Sequence, residues 1–257
     1  MKQRFGVNLE KKRTLVEGRL TTPMQQAGFN NFHDYIEDIL HDKSGAKLEK
    51  LVSILTTNYT YFMREDTHYR FMTGVALPEW CAKIKNKDLR TWSAGCSSGA
   101  EAYTTAMVIN EYLGIEKSQW ETTILATDIS TRVLNEAKTG EYPEEYLRNL
   151  PNGWQKKYFE NAGPERWRVN GLIKKQVHFA EFNLMDDFHR FRKPFHIIFC
   201  RNVMIYFDVN TKQDLARKFY DALEPGGYFF IGMSETLSGI SNSFTQISPA
   251  IYRKGRT

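Results

Sequence analysis

The sequence of 257 residues predicts an α/β protein with a mainly parallel sheet, helices on both faces of that sheet, and a small helical unit before it. Three observations support this prediction. From residue 89 onward, short apolar segments typical of buried strands alternate with amphipathic helical segments. Residues 8–66 show only helical patterns. An alternating stretch around the pair Asn170-Gly171 indicates a small antiparallel insertion outside the winding of the main sheet.

The N-terminal part is predicted to form a small bundle of amphipathic helices. In residues 9–20 and 46–57, leucine and valine recur at helical spacing with charged residues between them. Residues 28–41 carry an aromatic and aliphatic stripe, and Asn30 or Asn31 is suited to cap the start of that helix. Because the connections are short, the helices are expected to pack against one another through their apolar faces.

The alternation after residue 89 predicts a series of strands and helices. In chain order, these are a strand at 89–94, a helix at 100–113, a strand at 122–128, a helix capped by Ser130 and ended at Gly140, a strand at 195–202, a helix from 211 stopped by Pro225 and Gly226, and a strand at 226–233. Strands that alternate with helices in this way pair mainly in parallel.

Residues 141–182 interrupt the alternation. Within them, WRVNGLIKKQVHFAEF alternates around Asn170-Gly171, and an Asn-Gly pair is the strongest short-range signal for a hairpin. The sequence therefore predicts an antiparallel β-subdomain inserted in the α/β domain. The predicted organisation is an N-terminal helical domain at 1–70, a linker helix at 71–88, and an α/β domain at 89–257 with the insertion at about 151–182.

Composition and residue spacing predict a cytoplasmic protein without a metal. No apolar run is long enough to cross a bilayer, and the N-terminus lacks the apolar core of a signal peptide. The three cysteines, Cys81, Cys96 and Cys200, are scattered and odd in number, which is typical of a reducing compartment. Neither they nor the six histidines have metal-ligand spacing.

The formal net charge of +5 is modest, and the basic residues concentrate in two groups. One runs from Lys11 to Arg19, and the other contains Arg166, Arg168, Lys174 and Lys175. Such groups could meet nucleic acid, an anionic membrane or an acidic protein surface, or they could be solvated helix faces.

A ligand site is predicted where the first two strands of the α/β domain end. A run of small residues from Gly95 to Gly99 follows the first strand, with Glu101 directly behind it, and Asp128 follows the second. Ligands of open parallel sheets bind at the carboxyl ends of the strands, where an acidic residue can accept hydrogen bonds from ribose hydroxyls. Two structural alternatives remain: the segment from Gly95 to Gly99 could be an ordinary turn between a strand and a helix, and Asp128 could cap the next helix.

The kind of nucleotide follows from charge. A dinucleotide needs its pyrophosphate held by a G-x-G-x-x-G loop, which is missing here, and Glu101 would repel phosphate. S-adenosylmethionine has no phosphate and carries a positive ammonium and a positive sulfonium, so a carboxylate near the loop attracts it. Glu101 therefore favours S-adenosylmethionine.

Six segments, taken in order, resemble one family. They are NYTYFMRE (58–65), WSAGCSSGAEAY (92–103), ATDIS (126–130), NLMD (183–186), FCRNVMIYFD (199–208) and EPGGYFFIGMSETL (224–237). Together they resemble the CheR-type chemoreceptor glutamate O-methyltransferases of bacterial chemotaxis, over nearly the whole chain. The resemblance implies a Rossmann-like class I S-adenosylmethionine-dependent methyltransferase domain, a small all-α N-terminal domain and an inserted antiparallel β-subdomain.

The resemblance implies that Arg64 lies on a motif that encloses the cofactor and that Tyr206 lies in a segment that passes the reactive methyl group and the substrate; the catalytic roles of both are our hypotheses. Arg64 is expected to orient the incoming carboxylate and Tyr206 to hold it by a hydrogen bond, as the two catalytic residues. With Gly95 of the glycine loop included, the expected cofactor-binding residues are Asn58, Thr60, Arg64, Gly95, Glu101, Asp128, Asn183, Leu184, Arg201 and Asn202.

The chain also allows other interpretations of these positions, and it departs from the family pattern. Tyr206 could be an ordinary core aromatic, and Arg64 could form a surface ion pair with Glu65 or Asp66. The family's G-E-E-P-Y is Gly-Ala-Glu-Ala-Tyr here, so that one glutamate and the proline are missing while Glu101 is retained.

The implied reaction is methylation of glutamate side chains on methyl-accepting chemoreceptors, with S-adenosyl-L-homocysteine as the product. No general base is required, since a carboxylate with a pKa of about 4.3 is already ionised at neutral pH. The basic group from Lys11 to Arg19 would complement the glutamate-bearing cytoplasmic helices of the receptor. The resemblance further implies recruitment to membrane receptor arrays and a β-subdomain that can dock on a receptor's C-terminal tail. We expect a monomer that binds no nucleic acid.

Three other functions remain to be compared with this one. The positive net charge suggests a nucleic-acid methyltransferase. However, the sequence lacks the Asn/Asp-Pro-Pro-aromatic motif of enzymes that methylate exocyclic amines of bases. A catalytically weak or inactive S-adenosylmethionine-binding scaffold is suggested by the altered Gly-Ala-Glu-Ala-Tyr loop. A nicotinamide-dependent oxidoreductase is disfavoured by the missing glycine triplet.

Overall fold

The structure is a computed structural model that describes residues 5–6, 13–55, 60–240 and 242–256. Helices account for the N-terminal part and cover the main sheet. They are α1 (Arg13–Gln26), α2 (Phe32–Leu40), α3 (Ala46–Leu55), α4 (Thr67–Phe71), α5 (Leu77–Lys83), α6 (Ala100–Leu113), α7 (Thr131–Thr139), α8 (Trp154–Tyr158), α9 (Gly171–Lys174) and α10 (Val209–Ala222). No helix within these ranges is both long enough and apolar enough to cross a membrane.

The strands form two sheets. They are β1 (Thr91–Ala94), β2 (Ile124–Asp128), β3 (Glu141–Pro143), β4 (Phe159–Gly163), β5 (Arg166–Val169), β6 (Val177–Glu181), β7 (Phe195–Cys200), β8 (Leu223–Ile231), β9 (Thr245–Ser248) and β10 (Ile251–Arg253). Among the described residues, the larger sheet has the order β6-β2-β1-β7-β8-β10-β9, with β10 antiparallel to both β8 and β9 and the other neighbours parallel. The prediction of a mainly parallel sheet is confirmed.

The winding of the main sheet reverses at β1. The chain moves from β1 to β2 on one side and later returns to β7 on the other side. Alternate residues of β7 face opposite layers: Ile197 and Phe199 pack in the core under α6, and Ile198 packs in the core under α10. Both faces of the sheet are therefore buried, as in other sheets of parallel strands with helices on each side.

The N-terminal helices α1–α3 pack around their own small core. Its buried residues are Leu20, Met24, Tyr35, Ile39, Leu51 and Leu55. Asn31 caps α2, because its side-chain oxygen accepts a hydrogen bond of 3.0 Å from the Asp34 N–H. The predicted bundle and this cap are confirmed, whereas residues 9–12 of the first predicted helix lie outside the described residues.

The predicted hairpin at Asn170-Gly171 is wrong. Asn170 has φ −67°, and its side-chain oxygen accepts from the Ile173 N–H at 3.1 Å, so it caps α9. A two-residue hairpin of the Asn-Gly type needs a positive φ at both residues, and asparagine is equally suited to start a helix. The following strand, β6, joins the main sheet in parallel with β2.

The smaller sheet nevertheless is antiparallel, with the order β3-β5-β4. It is formed by residues 141–169, earlier in the chain than the predicted insertion at 151–182. Two other boundaries also differ from the prediction. The division after residue 70 falls inside α4, and α10 ends at Ala222, so that Pro225 and Gly226 lie in β8.

Candidate functional site

A pocket opens at the carboxyl ends of β1, β2 and β7, where the winding of the sheet reverses. Its lining residues are Phe5, Val52, Thr60, Tyr61, Arg64, Gly95, Cys96, Ser97, Glu101, Asp128, Ile129, Phe182, Asn183, Leu184, Arg201, Asn202, Val203, Tyr206 and Phe207. Every predicted site residue that the structure describes is among them. Asn58 lies outside the described residues. The location agrees with the general position of ligands in open parallel sheets.

The loop after β1 passes very close to the loop after β7. Gly95 has φ +82°, and a Cβ atom at this position would lie 2.5 Å from Cγ2 of Val203. The N–H groups of Gly95 and Cys96 both donate to the carbonyl of Thr127, at 2.7 and 2.8 Å. The loop is therefore tied to the end of β2, and glycine is required for its approach to the Val203 side chain.

Asp128 is held at the end of β2 by backbone donors. Its Oδ2 accepts from the Ser97 N–H at 2.9 Å, and its Oδ1 accepts from the Ser130 N–H at 3.0 Å. Burial raises the pKa of Asp128, and these N–H groups partly oppose the rise. The carboxylate therefore binds the residue that precedes α7 and also fixes the glycine loop beside the pocket.

A buried ion cluster lies at the back of the pocket, with Arg201 between two carboxylates. The Arg201 guanidinium donates to Glu101 at 3.1 Å and to Glu65 at 3.1 and 3.2 Å. It also donates to the Tyr69 hydroxyl at 3.3 Å and to the carbonyl of Arg64. With one positive and two negative side chains, the cluster carries one net negative charge when both carboxyl groups are ionised.

The two carboxyl groups of this cluster respond differently to burial. Burial raises the pKa of Glu101 even though the Arg201 charge and the Ser93 hydroxyl, which donates at 2.7 Å, act against it. Burial also acts to raise the pKa of Glu65, but the Arg201 charge and the Met233 N–H outweigh burial, so the pKa of Glu65 is lowered. The pKa of Arg201 is raised, because Tyr69, Glu101 and Glu65 together outweigh its burial.

The sequence predicted Glu101 as a lone acidic residue and missed its pairing with Arg201. It also allowed a surface ion pair for Glu65, whereas Glu65 turns inward to Arg201. Asp66 pairs with Arg70 at 2.5 Å instead. A glutamate inside the quoted NYTYFMRE segment was the available signal, but its partner is more than a hundred residues away.

The far side of the pocket is more apolar. Leu184 is buried, and the Asn183 side-chain oxygen accepts from the Met185 N–H at 3.0 Å, which fixes the turn after Phe182. Sequence reasoning placed only the segment at 58–64 on the helical side of the cofactor and missed two residues nearer the N-terminus. Phe5 and Val52 are both buried there against residues of the α/β domain, among them Ile129, Tyr206 and Phe207.

The segment after β7 carries the remaining predicted residues. Asn202 has φ +58°, and Tyr206 ends the short 3₁₀ turn Met204–Tyr206, partly buried at the pocket. Glu235, another residue that the sequence analysis did not single out, accepts backbone hydrogen bonds from this segment.

Known proteins match both parts of the chain. Residues 1–56 match the family model described as CheR methyltransferase, all-alpha domain, and residues 58–252 match CheR methyltransferase, SAM binding domain. A chemotaxis protein methyltransferase of Borreliella burgdorferi is 44% identical over 254 residues, covering 97% of this chain and 89% of that protein. Chemotaxis protein methyltransferase Cher2 of Pseudomonas putida is 36% identical, covering 96% and 91%. The chemotaxis protein methyltransferase of Escherichia coli is 34% identical, covering 97% and 86%.

The matched family domains and the observed sheets can be compared with the predicted fold class. A helical N-terminal domain precedes an S-adenosylmethionine-binding domain with a mainly parallel sheet, and a separate antiparallel sheet of three strands is present in the described residues. The predicted fold class is therefore confirmed.

Proposed function

The chain belongs to the CheR methyltransferase family, and we propose that it transfers the methyl group of S-adenosylmethionine to glutamate side chains of chemoreceptors, forming glutamyl methyl esters. The relatives that carry the name chemotaxis protein methyltransferase cover almost the whole chain. Their names support chemoreceptor methylation during chemotactic adaptation, and the resemblance of the site residues supports the carboxylate as the acceptor.

The observation that carries the proposal is the negative charge of the pocket. Glu101 lies in the first turn of α6, where a pyrophosphate would otherwise meet the positive end of the helix. Arg201 balances only one of the two carboxylates it contacts, and Arg64 at the pocket offsets the further negative charge of Asp128, so one negative charge is in excess when the three carboxyl groups are ionised. A phosphate-free cation suits this charge distribution, and a dinucleotide does not.

The residues of the pocket fit S-adenosylmethionine in three places. Asp128 would accept hydrogen bonds from the ribose hydroxyls, and Asn183 and Leu184 would lie beside the adenine. The cluster of Glu65, Glu101 and Arg201 would attract the ammonium group. When bound, S-adenosylmethionine supplies an electrophilic methyl group on a positively charged sulfur.

The chain's own contribution to the transfer is to bind and orient the acceptor. A glutamate carboxylate is ionised at neutral pH, so no residue has to remove a proton. Arg64 would orient the negative carboxylate, and the Tyr206 hydroxyl would donate a hydrogen bond to it. Both line the pocket together with Gly95 and Asn202. Correct placement of reacting groups can lower a barrier by roughly 7–11 kcal/mol.

The partner would be the glutamate-bearing cytoplasmic helix of a receptor, met by the basic N-terminal residues. Arg13 is exposed and pairs with Glu17 at 2.7 Å, while Lys11 and Lys12 lie outside the described residues. An acidic helix would compete with such a solvent-exposed pair at little cost. We further propose a monomer located in the cytoplasm, recruited to receptor arrays and able to contact a receptor tail through the small antiparallel sheet.

The test is transfer of tritiated methyl groups from S-adenosylmethionine to receptor-containing membranes, followed by treatment with alkali. We expect label on the receptor that alkali releases as methanol, because a methyl ester is hydrolysed whereas a methylated nitrogen is not. Receptors with glutamine or alanine at the acceptor positions are the matched substrate control. Label in RNA or DNA would instead support a nucleic-acid methyltransferase, and calorimetric binding of S-adenosylmethionine without any transfer would support a scaffold.

A further inference from the structure

One carboxylate joins the segment after β7 to the turn after β8. Oε2 of Glu235 accepts from the N–H groups of Gly232, at 2.6 Å, and Asn202, at 2.8 Å. Oε1 of Glu235 accepts from the N–H of Ile205 at 3.0 Å. The side chain therefore holds three backbone donors from two different loops, and two of these donors flank the start of the turn that ends at Tyr206.

The contact between the two loops is tight. A Cβ atom at Gly232 would lie 2.5 Å from Nδ2 of Asn202 and 2.9 Å from its backbone nitrogen. Asn202 itself has φ +58°, a left-handed conformation that asparagine adopts more readily than most residues with a side chain. The hydrogen bond to Glu235 is one of the interactions that hold Asn202 in this conformation.

The charge of Glu235 is offset by backbone dipoles. Burial raises its pKa, and the N–H groups of Gly232, Asn202 and Ile205 act against the rise. Among the described residues, the ion pairs include none at Glu235. The carboxylate of Glu235 is therefore partly buried without a cationic partner, and its hydrogen bonds go to the backbone N–H groups of the two loops.

We propose that Glu235 is a positioning residue for methyl transfer, which fixes the Asn202–Tyr206 segment so that the Tyr206 hydroxyl faces the acceptor carboxylate. The inference rests on the proposed function. The two oxygens hold different residues: Oε2 accepts from Asn202, a proposed cofactor-binding residue, and Oε1 accepts from Ile205, which precedes the proposed acceptor-binding Tyr206.

This division makes Glu235→Gln a selective perturbation. The amide has one acceptor oxygen, and placing it toward Gly232 and Asn202 preserves two of the three hydrogen bonds. The NH₂ group then faces the N–H of Ile205, so that two donors oppose each other and the turn toward Tyr206 is displaced. We expect kcat for receptor methylation to fall at least 10-fold, while the Kd for S-adenosylhomocysteine changes less than twofold.

The matched control is Glu116→Gln, which makes the same charge change at an exposed position of the 3₁₀ turn Gly114–Gln119, beyond the end of α6 that is remote from the pocket, and should leave both values unchanged. A double variant tests the route of the effect. If Glu235 acts through Tyr206, adding Glu235→Gln to Tyr206→Phe should lower kcat by less than a further twofold. An unchanged kcat in the single variant, an equal loss of cofactor affinity, or additive losses in the double variant would overturn the proposal.

Amide hydrogen exchange separates this inference from the proposed function. In the cofactor-bound wild-type protein, the amides of Asn202 and Ile205 should exchange slowly, and Glu235→Gln should accelerate exchange at Ile205 by more than at Asn202. This measurement needs no receptor. If the wild-type protein transfers no methyl group but the two proteins show the expected exchange, only the proposed function is refuted. Equal exchange in both proteins refutes the positioning role. If Glu235→Gln does not fold, Glu235→Asp, which keeps the charge but is too short to hold both loops as glutamate does, is measured in the same way, and unchanged kcat with unchanged exchange at both amides would overturn the positioning role.

Discussion

The substitution Arg201→Met tests whether the buried ion cluster holds the pocket together. Arg201 is almost fully buried, with 2% of its side chain exposed, and its partners Glu65 and Glu101 are exposed by 16% and 11%. Methionine has a similar length and no charge, so the packing volume is largely kept while the guanidinium is lost. Two carboxylates are then left in the site without their cation.

The expected loss is large because only one side of each ion pair is removed. Removing one partner of a buried pair lowers the free energy of unfolding by about 3–5 kcal/mol. The Tyr69 hydroxyl and the carbonyl of Arg64 lose their hydrogen bonds at the same time. We therefore expect a loss of about 3–5 kcal/mol at pH 7.

The loss should also depend on pH. Burial already raises the pKa of Glu101, and Arg201 opposes the rise, so removing Arg201 raises that pKa further. A carboxyl group with a raised pKa in the folded state binds a proton there while the unfolded chain, with a pKa of about 4.3, does not. Stability then falls as pH rises through this window. The difference from the wild type should be larger at pH 8 than at pH 5.5.

Urea unfolding followed by circular dichroism at pH 5.5, 7 and 8 measures both effects. Arg70→Met is the matched control, since Arg70 forms an exposed pair with Asp66 and should cost at most about 1 kcal/mol with little pH dependence. Adding Glu101→Gln to Arg201→Met should recover part of the stability, because one uncompensated charge is removed. A loss below about 1 kcal/mol, or the same loss at every pH, would refute the reasoning.

Three further outcomes are expected for the site. Asp128→Asn should weaken S-adenosylhomocysteine binding by about 10- to 150-fold in calorimetry, the range for losing hydrogen bonds to a charged group, and unchanged affinity would exclude a ribose-binding role. Tyr206→Phe and Arg64→Ala should each lower kcat at saturating cofactor by about 10-fold or more, and wild-type turnover in both would remove their proposed roles. Reversing Lys12 and Arg13 to glutamate should slow receptor methylation mainly at low salt, with cofactor binding intact, whereas equal losses in both assays would indicate a damaged fold.

The strands and helices of the α/β domain could be predicted because their signals are local. The helix predicted at 100–113 is α6 as observed, and the strand predicted at 122–128 contains β2. The hairpin at Asn170-Gly171 failed for a physical reason, since asparagine serves both as a turn residue and as a helix cap. Asn170 caps a helix here because the next strand, β6, pairs with β2, and this pairing cannot be read from the residues around Asn170.

The site could be predicted only in part, because its partners are distant in sequence. Glu101 lies in the helix turn after β1 and Asp128 is the last residue of β2, and these positions alone indicate a place in the pocket. The pairing of Arg201 with Glu101 joins residues 100 positions apart, and its pairing with Glu65 joins residues 136 positions apart. The contact of Asn202 with Glu235 similarly depends on β7 and β8 being neighbours in the sheet.

Arg201 changes the electrostatic argument that began with Glu101. A single buried glutamate would tend to take up a proton and become neutral, and would then attract no cation. The charge of Arg201 acts to lower the pKa of both Glu65 and Glu101, and with both ionised the cluster has one negative charge in excess. We therefore expect the attraction for a cationic ligand to depend on all three side chains. Arg201→Met should then weaken binding of the cationic cofactor as well as lower the free energy of unfolding.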